Sequence, residues 1–141
     1  MPTSETPSHF RLHHAAVLRQ LRAEAGLSQP ALAGIVKRHR TWISKAESGD
    51  VNVTVDTVDL IRSALLPSER GKLPLRMRIA KKIFDARTGM HPPMSQEALS
   101  ITAGCNLKYV NQLELGLVGT TLDQLAKVVD VLQLDYNEVF D

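Results

Sequence analysis

A chain of 141 residues, 43 % hydrophobic, 23 % charged and 4 % aromatic, has the composition of an ordinary globular protein and room for one domain or two very small ones. The single cysteine, Cys105, excludes an internal disulfide or a cysteine metal cage, and no leader-like segment or apolar run near the ~18 residues of a membrane span is present, which reads as soluble and cytoplasmic. Formal net charge is only +2, but it is unevenly spread: residues 1–66 carry +2, 67–91 carry +5 and 92–141 carry −5.

Residues 1–7 hold two prolines and are predicted to be a disordered tail. A first helix near Phe10–Ala25 has Ala15, Leu18 and Leu21 at helical spacing and ends at Gly26. Ser28 is placed to N-cap a second helix, with Pro30 tolerated in its first turn. A break at Lys37–His39 precedes a third helix, Arg40–Ser48, stopped by Gly49, and Thr54 caps a fourth, Val55–Leu66. Pro67–Pro74 is rich in breakers and reads as a linker. Beyond it, helices are predicted at Leu75–Thr88, from Ser95 to Gly104, from Asn106 to Gly116, and after Thr121, where Thr121-x-x-Gln124 is a capping box. Asp135-x-x-Glu138 starts a last short turn.

The chain repeats itself. Shifted by 67 places, Ser28–Leu65 aligns with Ser95–Leu132 without a gap, with ten of 38 positions identical. The apolar matches Ile43/Val110, Val55/Leu122, Val58/Leu125 and Ile61/Val128 place the same buried face twice. The first-helix arginines, Arg22 and Arg87, are offset by 65 because the loop beginning at Gly89 is two residues longer than its counterpart. Helix formers dominate, so the expected class is all-α, as two domains of four to five short helices at 8–66 and 75–141 joined by residues 67–74.

The pattern Arg22, Gly26, Ser28-Gln29, Leu32-Ala33, His39-Arg40-Thr41, Ile43, Glu47-x-Gly49 resembles the Cro and lambda-repressor (XRE-type) helix-turn-helix family. Arg87, Gly89, Ser95-Gln96, Leu99-Ser100, Asn106-Leu107-Lys108, Val110, Glu114-x-Gly116 resembles it a second time. The resemblance implies a transcription regulator, a repressor by type, bacterial or phage-encoded and nucleoid-associated when bound, with double-stranded DNA as partner. It implies base reading in the major groove by Arg40, Thr41, Ser44 and Lys45, and in the second repeat by Lys108, Asn111 and Gln112. Backbone contacts would fall to Gln29, Lys37, Arg38, His39 and Trp42, and to Gln96 and Asn106. Arg22 with Glu47, and Arg87 with Glu114, would be structural ion pairs. The second set is less basic, and Leu107 departs from the pattern by replacing a polar reader.

Several residues admit two readings. Trp42 and Tyr109 are equivalent, and either packing or contact with a sugar-phosphate edge suits an amphipathic ring. His9 and His13 stand four apart, as a metal pair would, but no third ligand is evident and a solvated helix start is simpler. Cys105 reads as a small buried residue rather than a redox sensor. The basic residues of 70–87 are either backbone contacts or a solvated face.

No phosphate loop, metal-spaced cluster or nucleophile elbow is present, so neither an enzyme nor a cofactor is expected, and no small-molecule ligand. Two arrangements on DNA stay open: tandem domains on two half-sites, or a pseudo-dimer about an approximate two-fold. A homodimer through the second repeat is a third. The rival function is an interaction protein of antitoxin or anti-activator type, whose second domain binds a protein partner or itself.

Overall fold

The computed structural model describes residues 7–116 and 119–140. The tail expected at 1–7 lies outside them except for Pro7, as do Val118 of the repeat and Asp141. The described residues are all-helical, the class expected.

Four helices form the first repeat: α1 (His9–Glu24), α2 (Gln29–Val36), α3 (Arg40–Ser48) and α4 (Val55–Leu65). Each boundary has a local cause. The side chains of Ser8, Ser28 and Thr54 accept from the backbone N–H three residues on, so each satisfies an otherwise orphaned donor. Lys37 ends α2 in the left-handed region at φ 56°, and Gly49 ends α3 at φ 82°. At Gly49 the freedom is required twice over, because a Cβ there would also come within 2.7 Å of the Leu12 side chain.

A 3-10 turn, Pro67–Glu69, leads to α5 (Leu75–Thr88), α6 (Gln96–Thr102), α7 (Tyr109–Glu114), α8 (Leu122–Leu132) and α9 (Tyr136–Phe140). Ser95 and Thr121 cap α6 and α8 as Ser28 and Thr54 cap α2 and α4. The capping box at Thr121 is made in one direction, from Gln124 N–H to the Thr121 hydroxyl. One helix start differs from expectation. Asn106 does not cap α7; its Oδ1 accepts from Lys108 N–H at 2.9 Å in a local turn, and α7 begins only at Tyr109. Tyr109 N–H bonds the Asn106 carbonyl at 2.9 Å, so residues 106–109 close as a turn and the helix starts two residues later than expected.

Residues 67–74, expected to be a linker, fold against the bundle around Glu69. Its side chain is 2 % exposed and bonds Arg62 at 2.6 Å and Arg78 at 2.9 Å. A carboxylate that deep is tolerable only when paired.

The apolar core is one continuous cluster rather than two. Leu18, Leu32, Ile43 and Ile61 on one side and Ile79, Ile83, Leu99 and Leu125 on the other are joined through Phe10, Val53, Val55, Leu122, Tyr136 and Phe140. Where the repeats meet, Thr54 and Thr121 form an antiparallel bridge. Val55 N–H donates to the Thr120 carbonyl at 2.8 Å, and Leu122 N–H donates to the Val53 carbonyl at 2.9 Å. Helix α1 packs on α8, and its counterpart α5 packs on α4.

Candidate nucleic-acid interface

The site is built on α2, its turn and α3. Leu32 and Ile43 are fully buried and lock the two helices face to face. The turn between them is closed by Arg38 N–H to the Ala33 carbonyl at 2.9 Å. Glu47, on the last turn of α3, is 5 % exposed. It accepts from Arg22 Nε and Nη2 and from Gln29 Nε2, so one carboxylate ties α1, α2 and α3 together. Hydrogen bonding to Glu47 raises the Arg22 pKa above its ordinary value, against a smaller opposing effect of burial. Arg22 also donates to the Leu27 carbonyl at 2.8 Å. The second repeat reproduces the arrangement: Arg87 bonds Glu114 at 2.7 and 2.8 Å and the Met94 carbonyl at 3.0 Å, and Gln96 bonds Glu114 at 2.9 Å.

With α3 held this way, Arg40, Thr41, Ser44 and Lys45 are exposed. Arg40, Thr41 and Ser44 share a shallow groove with Arg22, Ser28, Gln29 and Pro30. Lys37, Arg38 and His39 are exposed at the turn beside them. Among the described residues, no carboxylate pairs with Lys37, Arg38, Arg40 or Lys45. Arg38 instead lies 4.9 Å over the ring of half-buried Trp42, whose other contacts are with the core. Gln29, read as a phosphate holder, has one amide hydrogen engaged by Glu47 and keeps a second.

The equivalent surface of the second repeat has other chemistry. Gly104, Cys105, Asn106, Leu107 and Gln112 stand where Lys37, Arg38, His39, Arg40 and Lys45 stand in the first. Lys108, Asn111 and Gln112 are exposed, and Asn111 donates to Gln96 Oε1 at 3.1 Å, extending the Arg87–Glu114–Gln96 chain to the surface. Tyr109 differs from Trp42: it is 4 % exposed, its hydroxyl bonds that of Thr120, and burial pushes its pKa up to about 12. Cys105 is half-buried, and burial pushes its thiol pKa up, away from the reactive thiolate. In the basic run before this repeat, Lys72 and Arg78 pair with buried Glu69 and Arg87 with Glu114, while Arg76–Asp56 and Lys81–Asp85 are exposed pairs. His9 and His13 belong to no group of three or more ligating side chains among the described residues.

Residues 15–65 match the family model of a helix-turn-helix domain. That segment runs from within α1 to the end of α4 and contains the whole exposed cationic face, so the match supports DNA binding by this part of the chain. No curated protein and no solved structure matches the chain. Among the described residues, no helix is long and apolar enough to cross a membrane.

Sequence reasoning missed the contacts between repeats. Arg11 is 8 % exposed, bonds Asp123 at 2.8 Å and donates to the Gly49 carbonyl at 2.8 Å. Ser8 bonds the same carboxylate through its hydroxyl at 2.6 Å. Burial would raise the Asp123 pKa, but the Ser8 and Arg11 hydrogen bonds outweigh it and hold the carboxyl below its ordinary range. A signal existed: at the 65-residue offset Arg11 aligns with Arg76, and Asp56 and Asp123 are a repeat identity.

Proposed function

We propose that the chain is a sequence-specific DNA-binding transcription regulator of XRE type, a repressor, made of two tandem helix-turn-helix domains and read into the major groove mainly by α3. The observation that carries this reading is the set of exposed cations at α2–α3 without carboxylate partners, mounted on helices locked by Glu47. A polyanion is the natural counter-surface, and displacement of its counterions by Lys and Arg supplies affinity. Arg40 suits bidentate bonding to guanine O6 and N7, with Thr41, Ser44 and Lys45 reading neighbouring bases. Lys37, Arg38, His39, Gln29 and the edge of Trp42 would hold the backbone. In the second repeat Lys108, Asn111 and Gln112 would read more weakly, with Gln96 and Asn106 nearby. The role is binding rather than catalysis, in a bacterial or phage setting.

Selection of duplexes from a random pool by the full chain tests it. A preferred sequence whose discrimination falls with Arg40→Ala supports the reading. Binding without preference, or none at low salt, overturns it.

A second reading is favoured by a different surface. Leu107, Ile101, Phe84, Met77 and Leu115 are about half exposed or more. Their counterparts Arg40, Gly34, Arg19, Leu12 and Ser48 include one large apolar residue. Met77, Phe84 and Leu115 line one groove, and these exposed apolar residues of the second repeat suit a protein partner of antitoxin or anti-activator type. Pull-down by the full chain that is lost with Leu107→Ser, with DNA preference intact, would assign that role.

A further inference from the structure

In an isologous contact, residue i meets j while the symmetry mate of j meets the mate of i. The central contacts between the repeats obey this rule, while peripheral ones such as Asp123 N–H to Asn52 Oδ1 and Leu75 N–H to Asp59 have no mate. Val55 to Thr120 and Leu122 to Val53 are one bond written twice at the 67-residue offset. The Arg11–Asp123 pair, 2.8 Å, has its mate in Arg76–Asp56, 3.7 Å. Helix α1 on α8 is matched by α5 on α4. The repeats are thus related by a pseudo-two-fold axis passing between Thr54 and Thr121.

The mates are also differentiated. Arg78 against buried Glu69 corresponds to His13 against buried Tyr136, with ring centroids 4.7 Å apart. One side of the axis is ionic and the other aromatic. Pairing two first repeats would set His13 against Glu69, and pairing two second repeats would set Arg78 against Tyr136. Unlike pairing within the chain satisfies both sides, whereas like pairing between chains leaves Glu69 without Arg78.

We infer that the chain is its own dimer: the surface that could join two copies is occupied internally, and one chain acts alone on one asymmetric, non-palindromic DNA site. This deepens the DNA-binding reading and rests on it for the site, although the internal pairing does not. The two repeats present unlike faces, so the site they select has no two-fold symmetry. Coupling between α3 and α7 runs through a packed interface rather than a flexible linker.

The test uses the full chain with Cys105→Ser, with and without Thr54→Cys and Thr121→Cys. Thr54 and Thr121 are a non-hydrogen-bonded antiparallel pair, whose Cα separation of about 4.5 Å suits a disulfide. Oxidation is expected to give a cross-linked species of single-chain mass, 15.6 kDa. Oxidised and reduced forms are expected to bind the selected duplex within about twofold of each other, one chain per duplex, on a non-palindromic sequence. Cross-linking between chains, a tenfold or greater loss of DNA binding on oxidation alone, or two chains on a palindrome each overturn the inference. If the parent chain binds no duplex while the cross-link forms within one chain, the DNA-binding reading fails and the internal pairing stands.

Discussion

Lys37 and Gly104 occupy equivalent turns, both left-handed, at φ 56° and 71°. A lysine there costs roughly 1 kcal/mol relative to glycine. Lys37→Gly is therefore expected to raise stability by roughly 0.5–1 kcal/mol in urea melts. On the proposed function it also weakens binding to all sequences alike and lowers the salt slope by about one. A residue kept at conformational cost in a charged surface fits use of its ammonium group. His14 is a different case, 3 % exposed and bonded through Nδ1 to the Tyr136 hydroxyl at 2.8 Å. Burial first, then the nearby charges of Arg62 and His13, lower its pKa from 6.5 to about 4. The unfolded chain binds that proton more readily, so stability is full above pH 6.5 and falls as pH drops towards 4. The loss should reach roughly 3 kcal/mol, and His14→Leu should flatten the slope in denaturant titrations between pH 7 and 4.5.

Helix α3 is an element held by a single carboxylate, Glu47, and α7, three residues shorter, repeats the device through Glu114. Glu47→Gln should loosen three helices at once. The segment around Glu69 is the same principle in the connection between the repeats. Burial alone would raise the Glu69 pKa, but the hydrogen bond from Arg62 and the charges of Arg62, Arg78 and Lys72 lower it overall. Its contribution is present above the ordinary carboxylate range and lost as pH falls through the lowered folded value. Glu69→Ala leaves Arg62 and Arg78 facing each other in a half-dry setting. A loss of about 3 kcal/mol is expected by thermal melting, because one partner's removal strands the others.

At the scale of the molecule, the two repeats share one core. Val53, Val55 and Leu122, at most 3 % exposed, lie where backbone bonds join the repeats, and Phe10 is packed by Tyr136 and Phe140 of the other repeat. A domain of about 60 residues is already marginal. Residues 1–66 alone should therefore lose most helical circular dichroism at room temperature, or survive only by pairing with another copy at high concentration. A fragment that melts cooperatively as a monomer near the full chain's midpoint would contradict the shared core.

The sequence by itself determined the helices, most of their caps and the existence of a repeat, since Ser28, Thr54, Ser95 and Thr121 each act on a donor three residues away. The resemblance to the helix-turn-helix family also singled out Arg40, Thr41, Ser44 and Lys45 of α3, which are exposed. The sequence misjudged the start of α7 by two residues, where Asn106 to Tyr109 close as a turn ahead of the helix. Only the tertiary structure decided how the repeats meet. Val53, Val55 and Leu122 look the same in sequence whether they fill their own bundle or cover a neighbour, and Arg11 and Asp123 stand 112 residues apart with no local mark of their bond. Residues 67–74 read as a linker for a related reason: Pro and Gly announce a turn, but a buried partner for Glu69 exists only after α4 and α5 have packed. Short-range hydrogen bonding is written in neighbouring residues, whereas the pairing of two like surfaces depends on which of them come together.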